Sequence, residues 1–278
     1  MLLKFSKMHG LGNDFAVVDA VSRKVYFNKE QIEFLGDRNR GIGFDQLLIV
    51  EPPTSPDMDF RYRIYNSNGS EVEHCGNGAR CFAKFVIEKD LTNKSVINVE
   101  TKQGQIQLHV QDDGEVTVDM GAPSFAPADL PFDATEKQDD LYTLNLEGYG
   151  SVELTPVSVG NPHAVIRVDR LTDEIVSTVG PLVESHSAFP ANVNVGFMEV
   201  MSRDEVNLRV YERDVGETQA CGTGTCAAIV AGIRQGWLNS KVTAHLLGGD
   251  LRIEWQGEGS PIMMTGPATK VFEGQIYL

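Results

Sequence analysis

The sequence predicts a mixed α/β (α+β) fold of two pseudo-symmetric, duplicated domains. Each is built mainly of short strands that enclose one apolar helix. Three observations predict it: a set of motifs that recurs in the same order in both halves, strand-type alternation around those motifs, and a change to helical period after a glycine-rich turn in each half.

The repeat is read motif by motif. Gly12-Asn13 with Ala16-Val17-Val18 returns as Gly160-Asn161 with Ala164-Val165-Ile166, 148 positions later. Arg63-Ile64-Tyr65-Asn66 returns as Arg209-Val210-Tyr211-Glu212, and Glu71 as Glu217, 146 positions later. Ten residues after each tyrosine a cysteine opens a Cys-Gly-X-Gly turn: Cys75-Gly76-Asn77-Gly78 and Cys221-Gly222-Thr223-Gly224. Met120-Gly121-Ala122-Pro123 is answered by Met264-Thr265-Gly266-Pro267. Four matches in one order indicate duplication. The domains expected are 1–125, carrying Cys75, and 126–278, carrying Cys221, with the C-terminal strand free to cross over. The expected linker runs from Pro123 to about Thr143.

The elements follow in order. Asp59 to Tyr65 and Glu205 to Tyr211 alternate as half-buried strands do. Gln105 to Val110 and Glu115 to Val118 read as a hairpin around Asp113-Gly114. After Gly78, the residues Ala79, Phe82, Ala83, Val86 and Ile87 share one helical face, ending near Asp90. After Gly224, Cys226, Ala227, Ile229, Val230 and Ile233 predict a mostly apolar helix that stops at Gly236.

Composition narrows the function classes. With 278 residues, 39 acidic against 24 basic side chains and a net charge of −15, the chain suits two soluble domains. It lacks the basic patches that nucleic acids and anionic membranes select. No apolar run reaches the ~18–20 residues of a membrane span, and the first residues lack a signal-peptide core. A cytoplasmic chain with its four cysteines reduced is expected. Neither glycine-rich turn fits Gly-x-Gly-x-x-Gly or a P-loop, so no nucleotide site is expected.

The repeated cysteines carry the chemistry. A glycine-rich turn ahead of a helix places each thiol in the partial positive field of a helix N-terminus, which favours thiolate. The N–H groups there can hold a carboxylate. Two such turns could supply two acid–base thiols to opposite faces of one carbon α to a carboxylate, one removing a proton and the other giving one. The spacings Cys75-x5-Cys81 and Cys221-x4-Cys226 suit neither zinc nor a Cys-x-x-Cys redox pair. A single nucleophile with His74 as its base would leave the second cysteine turn without purpose. Cys81 and Cys226 read as packing residues within the helices.

At this point the chain resembles the diaminopimelate epimerase family. The residues that carry the resemblance are Lys7-Met8-His9-Gly10-Leu11-Gly12-Asn13-Asp14-Phe15, Gly43-Phe44-Asp45-Gln46, Asn66-Ser67-Asn68-Gly69-Ser70, His74 to Cys81, Gly160-Asn161-Pro162-His163, Asn192-Val193-Asn194, Glu212-Arg213 and Ala220 to Gly224. The resemblance implies two similar halves, each a strand-rich, barrel-like sheet around a central helix, with the active site in the cleft between them. It implies an epimerase that interconverts LL- and meso-diaminopimelate without pyridoxal phosphate, metal or other cofactor, in lysine and peptidoglycan precursor synthesis. Cys221 would be the base and Cys75 the acid from LL to meso, exchanging roles in reverse. Gly76, Asn77, Gly222 and Thr223 would grip the reacting carboxylate, and Arg213 the distal one. Asn13, Gln46, Asn66, Asn161 and Asn194 would bind the remaining polar groups, with His163 and Glu212 tuning the cysteines and Glu212 also contacting substrate. A homodimer is expected, with Phe272 a packing residue or dimer contact. Rival readings are a proline or hydroxyproline racemase, which would leave Arg213 without a carboxylate, an isomerase of the phenazine-synthesis type, and a non-catalytic binder of dicarboxylic amino acids.

Overall fold

The same succession of strand pairings occurs twice along the chain. The computed structural model describes residues 2–72, 75–102, 104–133 and 140–278. His74 and residues 134–139 of the expected linker lie outside them. The chain divides into one unit of Met1–Asp119 with Thr265–Leu278 and a second of Met120–Met264.

In the first unit, Leu2–Gly10 pairs antiparallel with Asn13–Asp19 across a turn in which Leu11 and Gly12 have φ of 55° and 90°. The helix α1 (Lys29–Gly36) carries the chain over to Gln46–Glu51, parallel to Asn13–Asp19. Phe60–Asn66 returns antiparallel, and Glu71–Val72 pairs beside it. The helix α2 (Gly76–Glu88) then crosses to Val96–Thr101, parallel to Phe60–Asn66. Gly104–Val110 and Val116–Asp119 form the expected hairpin, with Gly114 at φ 83°. The last strand, Thr269–Tyr277, lies antiparallel on Leu2–Gly10.

The second unit repeats this order. Gly150–Ser158 pairs antiparallel with Pro162–Val168, and α3 (Asp173–Glu184) leads to Asn194–Val200, parallel to Pro162–Val168. Glu205–Glu212 returns antiparallel with Gly216–Thr218 beside it, and α4 (Gly222–Arg234) crosses to Lys241–Leu246. Equivalent residues even keep their partners. Tyr65 faces Glu71 and Tyr211 faces Glu217, while Arg63 pairs with Glu71 at 2.8 Å and Arg209 with Glu217 at 2.5 Å.

Within each unit the apolar helix is central. α2 packs on Leu2–Gly10, Asn13–Asp19, Gln46–Glu51, Gly104–Val110 and Val116–Asp119. α4 packs on every longer strand of its own unit from Gly150–Ser158 to Gly249–Glu254. Cys226 to Ala231 are wholly buried, which explains a helix apolar all round.

Three findings differ from the sequence expectation. Each unit has a second helix on the other face of its sheet. α1 buries only Ile32, Leu35 and Gly36, and α3 buries Val176, Val179, Gly180 and Val183. Their short apolar stripes are diluted by polar residues, although each has a readable cap: Asn28 and Gln31 form a capping box, and Thr172 accepts from Ile175 N–H. Second, the stretch after Pro123 is no free linker, because Leu130 and Phe132 are buried in the second unit, where Phe132 stacks on Phe189 at 4.7 Å.

Third, both central helices begin at the first glycine of the motif, not after the last. None of Gly76, Gly78, Gly222 and Gly224 has positive φ, so none is needed for a turn. Close packing explains Gly78 and Gly224. A Cβ on Gly78 would stand 2.5 Å from Tyr62 Oη, and one on Gly224 3.0 Å from both methyl carbons of Val210.

Candidate active site

Cys75 and Cys221 are the N-cap residues of α2 and α4, both in extended backbone conformation. Neither helix has an acidic side chain in its own first turn. All four cysteines are free. Cys81 and Cys226 are fully buried in the helices, and burial pushes the Cys81 thiol up to about 12.

In the first unit, the Cys75 thiol donates to Asn13 Oδ1 at 3.7 Å. The same oxygen accepts from Asn77 Nδ2 at 3.3 Å, and Asn77 Oδ1 accepts from the buried Arg80 guanidinium at 3.0 Å. Asn13 Nδ2 donates to Asp45 Oδ2 at 2.9 Å. Asp45 Oδ2 also accepts from the Asp14 N–H at 3.0 Å, and Arg38 Nη2 donates to Asp45 Oδ1 at 2.8 Å. Arg38 holds Asp14 as well, through two nitrogens at 2.7 and 3.1 Å, and Lys7 Nζ pairs with Asp14. Burial would raise the Asp14 carboxyl, but the Arg38 and Lys7 hydrogen bonds hold it well below the usual range. Gln46 and Asn66 face each other across paired strands, with Gln46 Nε2 donating to Asn66 Oδ1 at 2.9 Å.

In the second unit, Cys221 is buried, with its sulfur 3.6 Å from Thr223 Oγ1. Asn161 Nδ2 donates to Thr223 Oγ1 at 3.4 Å, and Asn161 Oδ1 lies 2.9 Å from His163 Nε2, which must donate because a carbonyl oxygen only accepts. Asn194 is buried and holds backbone: its Nδ2 donates to Pro162 O at 3.0 Å and its Oδ1 accepts from Arg213 N–H at 3.1 Å. Arg213 Nη1 donates to Ala191 O at 3.3 Å. Glu212 Oε1 accepts from Thr218 Oγ1 at 2.5 Å.

Two ionisation states follow. Burial pushes the Cys221 thiol well up, and the Glu212 carboxylate adds to this; the Gly224 N–H and Thr223 hydroxyl act the other way without winning. Standing at a helix start therefore does not by itself make Cys221 a thiolate, because burial favours the neutral form. Burial, with the Arg213 charge second, lowers His163 to about 3, so its ring is neutral near pH 7.

Among the described residues, the buried side-chain atoms without a hydrogen-bond partner are Gln46 Oε1 and His163 Nδ1. Buried polar atoms are rarely left so, and both belong to residues singled out from the sequence. Phe272 is half-exposed on the last strand, edge-on to Phe5 at 6.0 Å. Among the described residues no cluster of three or more His, Cys, Asp or Glu side chains is placed to hold a metal ion, and no helix is long and apolar enough to cross a membrane. The sequence reading assigned no role to Lys7, Asp14, Arg38, Asp45 or Arg80. The only signal was that Lys7, Asp14, Asp45 and Arg80 lie inside quoted motifs.

The fold defines the class of protein. It matches a hydroxyproline epimerase from Agrobacterium vitis with TM-score 0.72 at 14% identity, over 99% of this chain and 92% of that one. It matches a phenazine biosynthesis protein from Bacillus anthracis with TM-score 0.69 at 16% identity, over the whole of both chains. The architecture is therefore the duplicated, strand-rich fold these proteins share. Sequence then separates the family. The diaminopimelate epimerase profile matches residues 5–126 and 155–271, and a diaminopimelate epimerase of Ectopseudomonas mendocina is 59% identical over all 278 residues, the full length of both. This chain belongs to the diaminopimelate epimerase family.

Proposed function

We propose that this chain epimerises LL-2,6-diaminopimelate to meso-2,6-diaminopimelate, a step of lysine and peptidoglycan precursor synthesis, with no cofactor and by two thiols. The observation that carries the reading is the placement of a cysteine at the N-cap of the central helix in both units, in a chain 59% identical to a diaminopimelate epimerase over its whole length.

From LL to meso, the Cys221 thiolate takes the α-proton while the Cys75 S–H delivers its own proton to the opposite face. The electron pair left on carbon forms the new C–H bond, and Cys75 becomes the thiolate. Burial and the Glu212 carboxylate favour the Cys221 thiol, so the thiolate that takes the α-proton is its minor form in the free protein. The N–H groups of Gly76, Asn77, Gly222 and Thr223 hold the reacting carboxylate at the two helix starts. Arg213 binds the distal carboxylate. Gln46 Oε1 and His163 Nδ1, buried atoms without a partner among the described residues, are acceptors for ligand N–H groups. Asn13, Asn66, Asn161 and Asn194 complete the polar lining. The protein acts in the cytoplasm as a homodimer, for which the exposed Val271, Phe272 and Tyr277 offer apolar surface; sedimentation of Phe272→Glu against the parent tests the dimer.

The decisive experiment is turnover of LL-diaminopimelate in D2O. One solvent deuteron should enter the product α-carbon, and product formed without label contradicts proton exchange. The fold shared with a hydroxyproline epimerase favours one second reading, racemisation of a cyclic imino acid. Arg213→Ala separates the two. It should cut turnover of diaminopimelate severely, whereas a proline-type substrate has no distal carboxylate to lose.

A further inference from the structure

The duplicated asparagines Asn13 and Asn161 present opposite ends of their amides to the two helix starts. Asn161 turns its NH2 to Thr223, because His163 Nε2–H occupies its oxygen at 2.9 Å. Asn13 turns its oxygen to Cys75 and Asn77, because Asp45, an obligate acceptor, occupies its NH2 at 2.9 Å. An amide has one donor end and one acceptor end, so whatever sits at the far end decides which one the cysteine meets.

We propose that Asp45 is a positioning residue, which through Asn13 keeps an acceptor facing Cys75 and so holds that cysteine as the protonated, proton-donating thiol. Arg38 and the Asp14 N–H fix Asp45 in turn, at 2.8 and 3.0 Å. Arg80 fixes Asn77 in the orientation whose NH2 also selects the Asn13 oxygen. An S–H donating to a carbonyl favours the neutral thiol, whereas an amide NH2 in the same place would favour the thiolate. The inference rests on the acid role proposed for Cys75, but its readout does not require turnover.

That readout is the pH dependence of Cys75 alkylation by iodoacetamide, followed by peptide mass on the full chain. Among the described residues, Tyr62 and Cys81 interact electrostatically with Cys75; burial holds both protonated above their usual range, and neither titrates across the window. The other charged or titratable groups around Asn13, among the described residues, include Lys7, Asp14, Arg38, Arg80, Asp45 itself and His9, which lies across from Asp14 on the paired strand and accepts from Gly12 N–H; all but Asp45 are common to parent and variants. In Asp45→Ala only the 3.3 Å bond from Asn77 still selects the Asn13 oxygen, so part of the molecules turn the amide NH2 to sulfur, and the Cys75 midpoint should fall by up to about one unit, at most a tenfold gain in thiolate below the midpoint. In an Asn13→Ala background the same Asp45 substitution should move the midpoint by less than about a third of that. An equal fall in both backgrounds would assign the effect to the lost carboxylate charge and overturn the inference, as would no fall in either. Asn13→Ala alone leaves the Arg38–Asp14 pairs in place and should itself lower the midpoint, so the inference stays testable should Asp45→Ala not fold. Epimerisation surviving in Cys75→Ala would instead overturn the two-thiol reading, and leave the alkylation result untouched.

Discussion

The two helix starts are copies of one motif, yet they treat their cysteines differently. Cys75 is half-buried and faces a carbonyl oxygen held by an ion cluster; Cys221 is buried, beside a hydroxyl and a carboxylate, with a neutral histidine behind the asparagine. Duplication supplied a symmetric frame, and the differences lie in what stands one contact further out: Asp45 in one unit, His163 and Glu212 in the other. The lesson is that a backbone repeat places the two sulfurs alike, while the groups one contact further out differ.

The largest test of this comparison removes each sulfur in turn. Cys75→Ala and Cys221→Ala should each lower epimerisation by at least about 10²–10⁴-fold, the scale of a lost general acid or base, with the fold retained by circular dichroism. Survival of either variant would mean that one unit supplies both proton transfers. A difference in packing comes next. Gly78→Ala should destabilise by about 2–3 kcal/mol in urea unfolding, since its Cβ would collide with the buried Tyr62 hydroxyl at 2.5 Å. Gly224→Ala should cost less, because its 3.0 Å neighbours are side-chain methyl carbons. Equal costs would show that the two helices sit equally tightly.

His163 gives a pH test peculiar to the second unit. Its folded value, about 3, lies below the ordinary 6.5, so protonation favours the unfolded chain. The sign follows: its stability is present above pH 6.5 and is lost progressively as pH falls toward 3, amounting to about 2 kcal/mol by pH 5. His163→Gln should therefore lose about that much less stability than the parent between pH 7.5 and pH 5. An unchanged acid slope would place a proton on the ring in the folded protein. The smallest effect belongs to the pairs that the units share. Glu71→Gln and Glu217→Gln should each shift stability by less than about 1 kcal/mol, as partly exposed ion pairs do, and by similar amounts.

Much of this molecule was legible in one dimension. Strand alternation from Asp59 and Glu205, the hairpin at Asp113-Gly114 and the apolar faces after Gly78 and Gly224 all follow from local periodicity, and the structure has each within a few residues. The outer helices were not read, because a helix that buries little more than Ile32 and Leu35 leaves a stripe too short to register. Gly78 and Gly224 look like turn residues in the sequence and are helical in the structure, since sequence cannot tell a glycine needed for its backbone from one needed for its missing Cβ.

By itself, the sequence determined the duplication, the placing of Cys75 and Cys221 at the starts of equivalent helices, and the family. These depend on residue order and short-range geometry, which the chain carries with it. Only the tertiary structure decided that Asn13 and Asn161 point their amides opposite ways, that Asp45 reaches Asn13 across 32 positions, and that burial and the Glu212 carboxylate push the Cys221 thiol up. Hydrogen-bond direction and desolvation are set by neighbours brought together from distant segments, and no local pattern encodes them.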